Sequence, residues 1–156
     1  MKRRMLLNQE KIMKRRMIRA IVLFILTFIA LLVFIGLYID ETKRTQETYM
    51  KQYKANLGHV SEDIASYLDG EGDFDLRYTR IVSDMSSANS FAFLIKRFDD
   101  EKVIINEVNT CVMKYPEQTK GKLAELKTSI DDILNDLDKG YTEADEFVKS
   151  FDKKGH

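Results

Sequence analysis

The sequence predicts an all-α protein with one N-terminal transmembrane helix followed by an antiparallel up-and-down bundle of three to four helices. A single uncharged run of 20 residues near the N-terminus is long enough for a membrane helix. Beyond this run, apolar residues recur at alternating steps of three and four, which is the period of an amphipathic helix. One proline and seven glycines in 156 residues leave few helix breakers. Alternation typical of strands is nearly absent.

The uncharged run begins at Ala20 and ends at Ile39. A helix of this length spans about 30 Å, the hydrocarbon thickness of a bilayer. The competing interpretation is a cleaved signal peptide, whose apolar region usually has about 7–15 residues before a small-x-small cleavage site. This run is longer and no such site follows it, so we predict an uncleaved, single-pass anchor.

Charge predicts the orientation of the anchor. Residues 1–19 carry eight basic residues and one acidic residue, whereas only four basic residues lie within the 17 that follow the run. This asymmetry places residues 1–19 in the cytoplasm and residues 40–156 outside it. Residues 40–156 carry 17 basic and 24 acidic residues, so the zero net charge of the chain conceals opposite charges on the two sides.

The basic segment before the anchor is expected to contact anionic lipid headgroups. The residues nearest the bilayer are Lys14, Arg15, Arg16 and Arg19. A docking peptide for a cytoplasmic partner is the alternative. Nucleic-acid binding is not expected, because the segment is short and lacks aromatic residues. The anchor contains no ionisable residue, which argues against a pore or a transporter.

Residues 40–156 show four helical stretches. The first is an outward continuation of the membrane helix, with Gly58 as a candidate kink, and its apolar stripe is Met50, Tyr53, Leu57, Val60, Ile64 and Tyr67. The second is predicted to begin after an Asp73 or Asp75 N-cap and to run to Phe98. The third covers 103–115, and the fourth begins with Pro116 in its first turn. Whether helix continues through Gly140 is left open.

Residue types suited to catalysis are scarce. The chain has one cysteine and two histidines, so neither an intramolecular disulfide nor a thiolate zinc site is available. Cys111 shares an apolar stripe and is predicted to be buried, although an intermolecular disulfide is the alternative. His59 and Asp63 are expected to form a solvated pair on one helix face. The acidic stretch 69–75 does not fit a calcium loop of the EF-hand type. We therefore expect no enzymatic activity, no metal and no cofactor.

One stretch of the second helix is a candidate partner or ligand surface. Small polar residues there could pack closely or line a ligand cavity, and the aromatic residues crowd more sides of the helix than one core stripe needs. The candidate residues are Ser86, Ser87, Ser90, Phe91, Phe93, Leu94 and Phe98.

Two functions fit this layout. The first is protein–protein interaction or scaffolding at a bacterial cell envelope, with another membrane or envelope protein as partner and with self-association as a further option. The absence of N-x-S/T acceptor sites favours a bacterial surface. The second is ligand sensing, because a basic head, an anchor and an outer helical bundle resemble the outer part of chemoreceptors and sensor kinases. The sequence has neither their second span nor their signalling region, so a partner would have to transmit the signal.

Overall fold

The computed structural model describes residues 2–70 and 72–152, with side chains from residue 10 onward. This part of the chain is helical and contains no strand, which confirms the predicted fold class at that level. The helices are α1 (Lys2–Leu68), α2 (Phe74–Ala92), α3 (Asp100–Lys114), α4 (Pro116–Lys120), α5 (Leu123–Asn135) and α6 (Tyr141–Lys149). By its internal packing the chain divides into two compact units, Met1–Arg44 and Thr45–His156.

The first unit contains the predicted anchor. Its described backbone is entirely helical, and all side chains from Ala20 to Ile39 are exposed. Among the described residues, one helix is long and apolar enough to cross a membrane, and it contains this run. A helix that is apolar on every side is typical of a membrane span or of the core of a large protein.

The second unit has a closed apolar core to which the end of α1 contributes. The stripe predicted for the first stretch is confirmed, since Tyr53, Leu57, Val60 and Ile64 are fully buried. α2 packs against α3, α3 packs against α4 and α6, and α5 packs against α6. The remaining helices supply core residues at the expected spacing, among them Ile81, Met85, Val108, Val112, Leu126, Ile130, Ile133 and Val148.

Local sequence signals explain several of the helix ends. The Asp73 carboxylate accepts hydrogen bonds from the backbone N–H groups of Asp75 and Leu76, so the predicted N-cap of α2 is confirmed. Pro116 occupies the first turn of α4, where a missing N–H costs nothing. Gly70 and Gly72 both have positive φ and permit the turn between α1 and α2.

The structure corrects two sequence-based expectations and answers the open question of a kink at Gly58. α2 ends at Ala92 instead of reaching Phe98, and irregular backbone joins it to α3. The predicted fourth helix is divided into α4 and α5 at Gly121 and Lys122. Gly58 lies within α1 without interrupting it. The second unit therefore contains more helices, and shorter ones, than the spacing of apolar residues predicted.

Gly140 settles the question left open for the last stretch. It adopts a left-handed conformation, with φ of 80°, and separates α5 from α6. A Cβ atom at this position would lie 2.6 Å from the Ser129 carbonyl oxygen and 2.8 Å from the Ile133 nitrogen. The helical spacing of apolar residues continues across Gly140 because α5 and α6 pack together on the same core.

Candidate interaction surfaces

The connection between α2 and α3 exposes two adjacent apolar side chains. We call residues 93–97 the 93–97 turn. Phe93 is 55% exposed and Leu94 is 47% exposed, whereas Ile95 in the same turn is buried. Phe98, directly after the turn, is only 2% exposed. Phe93 and Leu94 are therefore directed to the surface, whereas Ile95 and Phe98 are buried in the core and anchor the turn there.

A single side chain of α1 fixes the backbone of this turn. The amide Nε2 of Gln46 donates to the Leu94 carbonyl oxygen at 3.1 Å, and its Oε1 accepts from the Lys96 backbone N–H at 2.8 Å. An amide that both donates and accepts satisfies two backbone groups that have no helical partner. Gln46 thus ties the 93–97 turn to the start of the second unit.

A buried aromatic cluster lies beneath the turn. The Phe98 ring packs edge-on against Tyr53, with centroids 5.2 Å apart, and against Tyr141 at 6.1 Å. The hydroxyl groups of Tyr53 and Tyr141 are 3.1 Å apart and hydrogen-bonded. Burial raises the pKa of Tyr141 to about 12 and raises the pKa of Tyr53 further. The pair is therefore a neutral structural contact at physiological pH.

Two basic residues complete the turn. Lys96 and Arg97 are exposed and directly follow the apolar pair. Arg97 lies 4.0 Å from the Asp138 carboxylate, but both side chains are well exposed, so this pair contributes little. The next acidic residue, Asp99, forms an ion pair with Lys102. The 93–97 turn consequently presents apolar and cationic side chains side by side.

Of the three predicted serines, Ser86 joins α2 to α3. The hydroxyls of Ser86, Ser87 and Ser90 each donate to the carbonyl oxygen four residues earlier in α2. Ser86 also hydrogen-bonds Asn109 at 3.0 Å, and Asn89 hydrogen-bonds Asn106. Ser86 and Asn89 therefore lie where α2 packs against α3, and short polar side chains permit close packing there.

The aromatic members of the predicted surface divide between core and solvent. Phe98 belongs to the core, and Phe91 is half-buried with its ring centroid 6.3 Å from that of Tyr49. Phe93 and Leu94 are the exposed members. The sequence did not distinguish the buried from the exposed side chains, because the helical spacing of apolar residues continues to Phe98 whereas α2 ends at Ala92.

Three more exposed apolar side chains lie at the connection between α1 and α2. We call its described residues, Leu68 to Gly70 and Gly72 to Leu76, the 68–76 turn. Leu68, Phe74 and Leu76 are each about half exposed, and the Phe74 ring packs edge-on against Tyr67 at 5.1 Å. Glu71 lies outside the described residues. Leu68, Phe74 and Leu76 lie outside the apolar stripes of the predicted helices, so the spacing of apolar residues did not indicate a surface here.

Acidic residues alternate with these apolar residues in the sequence. Asp69 follows Leu68, and Asp75 lies between Phe74 and Leu76; both are exposed, and Asp73 caps α2. Among the described side chains, no group of three or more His, Cys, Asp or Glu residues is arranged to hold a metal ion.

A polar groove of about 460 Å³ lies between α1 and α2. Its lining residues carry both charges and are His59, Glu62, Asp63, Ser66, Arg77, Arg80 and Asp84. Arg77 Nη1 donates to the Asp63 carboxylate at 2.8 Å. The pairing expected between His59 and Asp63 is thus replaced by an ion pair between helices.

The other candidate residues are placed as follows. Lys14, Arg15, Arg16 and Arg19 are exposed in α1, and their contact with lipid headgroups stays a prediction. Cys111 is buried in α3, as predicted. No protein-family model matches the sequence, and comparisons with curated proteins and with solved structures give no match. Function is therefore inferred from burial, charge and chain connectivity.

Proposed function

We propose that this chain is a single-pass membrane protein whose residues 40–156 lie outside the cytoplasm and dock another membrane or envelope protein. One observation carries the proposal. The apolar residues 20–39 are exposed, whereas the second unit encloses an apolar core of its own. The exposed helix therefore needs hydrocarbon around it, and the second unit can fold in water next to the bilayer.

The fold of the outer part is proposed to be an up-and-down bundle. Helices that follow each other in sequence pack together, namely α2 with α3 and α5 with α6. Their connections, residues 93–99 and 136–140, are short. Short connections between packed neighbours are typical of antiparallel helices.

The charge distribution supports the proposed orientation. Basic residues are concentrated before the apolar run, and the described ones, including Lys14, Arg15, Arg16 and Arg19, are exposed where lipid phosphates could bind them. The acidic excess falls in residues 40–156. The basic segment is therefore the side expected to remain in the cytoplasm.

The 68–76 turn is the surface best suited to a protein partner. Leu68, Phe74 and Leu76 are each about half exposed, and the exposed Asp69 and Asp75 are their neighbours in the sequence. Interfaces commonly combine an apolar centre with a charged rim that selects the partner. A partner with a basic rim around an apolar recess would be complementary.

Photo-crosslinking tests this docking proposal. A photoreactive residue is placed at Phe74 in the full-length chain in native membranes, with the same residue at the exposed Thr128 of α5 as control. We expect one discrete adduct from position 74 that is lost when Leu68 and Leu76 are changed to serine. An adduct of twice the chain mass would instead show self-association. Identical products from both positions would contradict a docking role for this turn.

Ligand sensing is the second candidate, and the groove between α1 and α2 favours it. Arg80 and Asp84 offer opposite charges in one groove, an arrangement suited to a zwitterion such as a free amino acid. Asp63 and Arg77 already pair with each other, which lowers the charge available to a ligand. Amino acids that raise the unfolding temperature of the wild type but not of Arg80→Ala would favour sensing over docking.

A further inference from the structure

We propose that the 93–97 turn is a second membrane contact. Phe93 and Leu94 enter the interface of the bilayer that holds residues 20–39, and Lys96 and Arg97 bind its lipid phosphates. This inference depends on the proposed anchor and extends it, because it assigns a lipid-binding role to a part of the chain outside the apolar run.

Exposure of the apolar pair is built into the turn. The Phe93 and Leu94 N–H groups bond to the Asn89 and Phe91 carbonyl oxygens, so the backbone closes on the end of α2. Ile95 and Phe98 are buried on the other side. Neither Phe93 nor Leu94 can therefore turn inward without displacing a core residue.

Chain connectivity keeps this turn close to the bilayer. Gln46, which hydrogen-bonds both Leu94 and Lys96, is seven residues beyond Ile39. Seven residues span about 10 Å as a helix and at most about 25 Å when fully extended. The headgroup layer extends about 5–8 Å beyond the hydrocarbon. Gln46, which holds the turn, therefore lies within about 5 Å of the headgroup layer if the intervening chain is helical and within about 20 Å if it is fully extended.

The composition of the turn fits an interface between hydrocarbon and water. Two apolar side chains are followed after one buried residue by two exposed cations, which is the pairing found in interfacial membrane segments. A basic residue near an anionic lipid surface contributes about 1 kcal/mol. The 68–76 turn has comparable apolar exposure, but Asp69, Asp73 and Asp75 lie among its apolar residues. In the 93–97 turn the cations Lys96 and Arg97 lie nearest to the apolar pair, and the acidic Asp99 and Asp100 follow only after the buried Phe98.

The chain has no tryptophan, which allows a direct test with one added fluorophore. Phe93→Trp replaces an exposed side chain, so the fold should be retained, and circular dichroism checks this. The full-length variant is placed in vesicles containing anionic lipid that is brominated near the headgroup. We expect emission to fall by about half or more, because interfacial side chains lie within about 5–10 Å of the headgroup boundary.

Two matched variants separate this inference from the proposed anchor. Phe28→Trp, inside the apolar run, should be quenched by lipid brominated deep in the acyl chain, and failure there would overturn the anchor itself. Phe74→Trp is exposed to a similar extent as Phe93 and should remain unquenched. Quenching at position 28 without quenching at position 93 would overturn only the second contact.

Charge reversal tests the phosphate contacts. Lys96→Glu with Arg97→Glu should weaken quenching of the position-93 tryptophan in anionic vesicles by about twofold or more, since a basic residue contributes about 1 kcal/mol near such a surface. Blue-shifted emission at position 93 that bromine does not quench would mean that a protein surface covers the turn, and this would overturn the lipid assignment.

Discussion

The apolar run 20–39 and the core of the second unit use the same residue types in opposite surroundings. In the run, Phe24, Leu31 and Phe34 are more than half exposed. In the second unit, Leu57, Ile64 and Leu126 are fully buried. Apolar residues on all sides of one helix have no partner within the chain, whereas a stripe on several helices can be buried by mutual packing. The pattern of apolar residues, more than their number, therefore decides which solvent a helix needs.

Charge inside the run should produce the largest effect. Ile29→Arg with Ala30→Arg is expected to disfavour membrane insertion by about 5–7 kcal/mol, since each central arginine costs about 2.5–3.5 kcal/mol. We expect this variant in the supernatant after alkaline extraction of membranes. The control, Ala124→Arg with Thr128→Arg, places the same charges on exposed positions of α5 and should remain in the membrane pellet. Equal retention of both variants would contradict the anchor.

Core truncation should be the next largest effect. Leu126→Ala removes a fully buried side chain of α5 and should lower the free energy of unfolding by about 2–5 kcal/mol. The matched change Leu32→Ala lies in the exposed run and should leave that value unchanged. Denaturant unfolding of the full-length chain in detergent, followed by circular dichroism, measures both. Equal destabilisation by the two variants would mean that the run packs within the protein fold.

Two glycines within the second unit should respond in opposite directions. Gly140→Ala should destabilise the unit by about 2–3 kcal/mol, because a left-handed conformation costs about 1–2 kcal/mol and the added Cβ overlaps the Ser129 carbonyl. Gly58→Ala lies within α1 with no atom near the new Cβ and should stabilise the helix by about 0.5–1 kcal/mol. Thermal unfolding of both variants checks the sign, and stabilisation by Gly140→Ala would contradict the observed break.

A small pH effect is expected at Asp131. Partial burial would raise the pKa of this carboxyl, but hydrogen bonds from Lys127 and Ser61 outweigh it and lower the pKa. A lowered folded pKa stabilises the unit above the unfolded pKa of about 3.9, and this stabilisation is lost as the pH falls through the folded value. Asp131→Asn should reduce stability at neutral pH by less than about 1 kcal/mol, because the pair is partly exposed.

The control for this effect is the exposed neighbour Asp132. Asp132→Asn should leave stability at neutral pH close to that of the wild type. The difference between wild type and Asp131→Asn should narrow between neutral pH and pH about 3, as measured by urea unfolding. A difference that stays constant over this range would show that the carboxylate charge contributes nothing.

The sequence predicted the parts of the fold that depend on regular spacing. Tyr53, Leu57, Val60 and Ile64 recur at helical intervals, and their burial is confirmed. The spacing of apolar residues could not reveal that the helix breaks at Gly140. The helices α5 and α6 on its two sides face the same core, so the helical spacing continues across the break. Only the left-handed backbone and the close Ser129 carbonyl show why a glycine is needed there.

The candidate surfaces were harder to predict than the core. Phe93, Leu94 and Phe98 have similar apolar character in sequence, yet the end of α2 at Ala92 sends the first two to solvent and the third inward. The role of Gln46 depends on a contact between residues 48 positions apart, which no local pattern encodes. Surfaces set by loop geometry and long-range contacts therefore required the structure.

Cysteine accessibility in sealed membranes tests the central claim most directly. Cys111 is replaced by alanine, and single cysteines are placed at the exposed positions Lys11 and Glu143 of the full-length chain. A membrane-impermeant maleimide should label position 143 from outside intact cells and position 11 only after the membrane is opened. Labelling of both positions from outside, or of neither, would contradict a single span that separates a cytoplasmic basic segment from an outer helical unit.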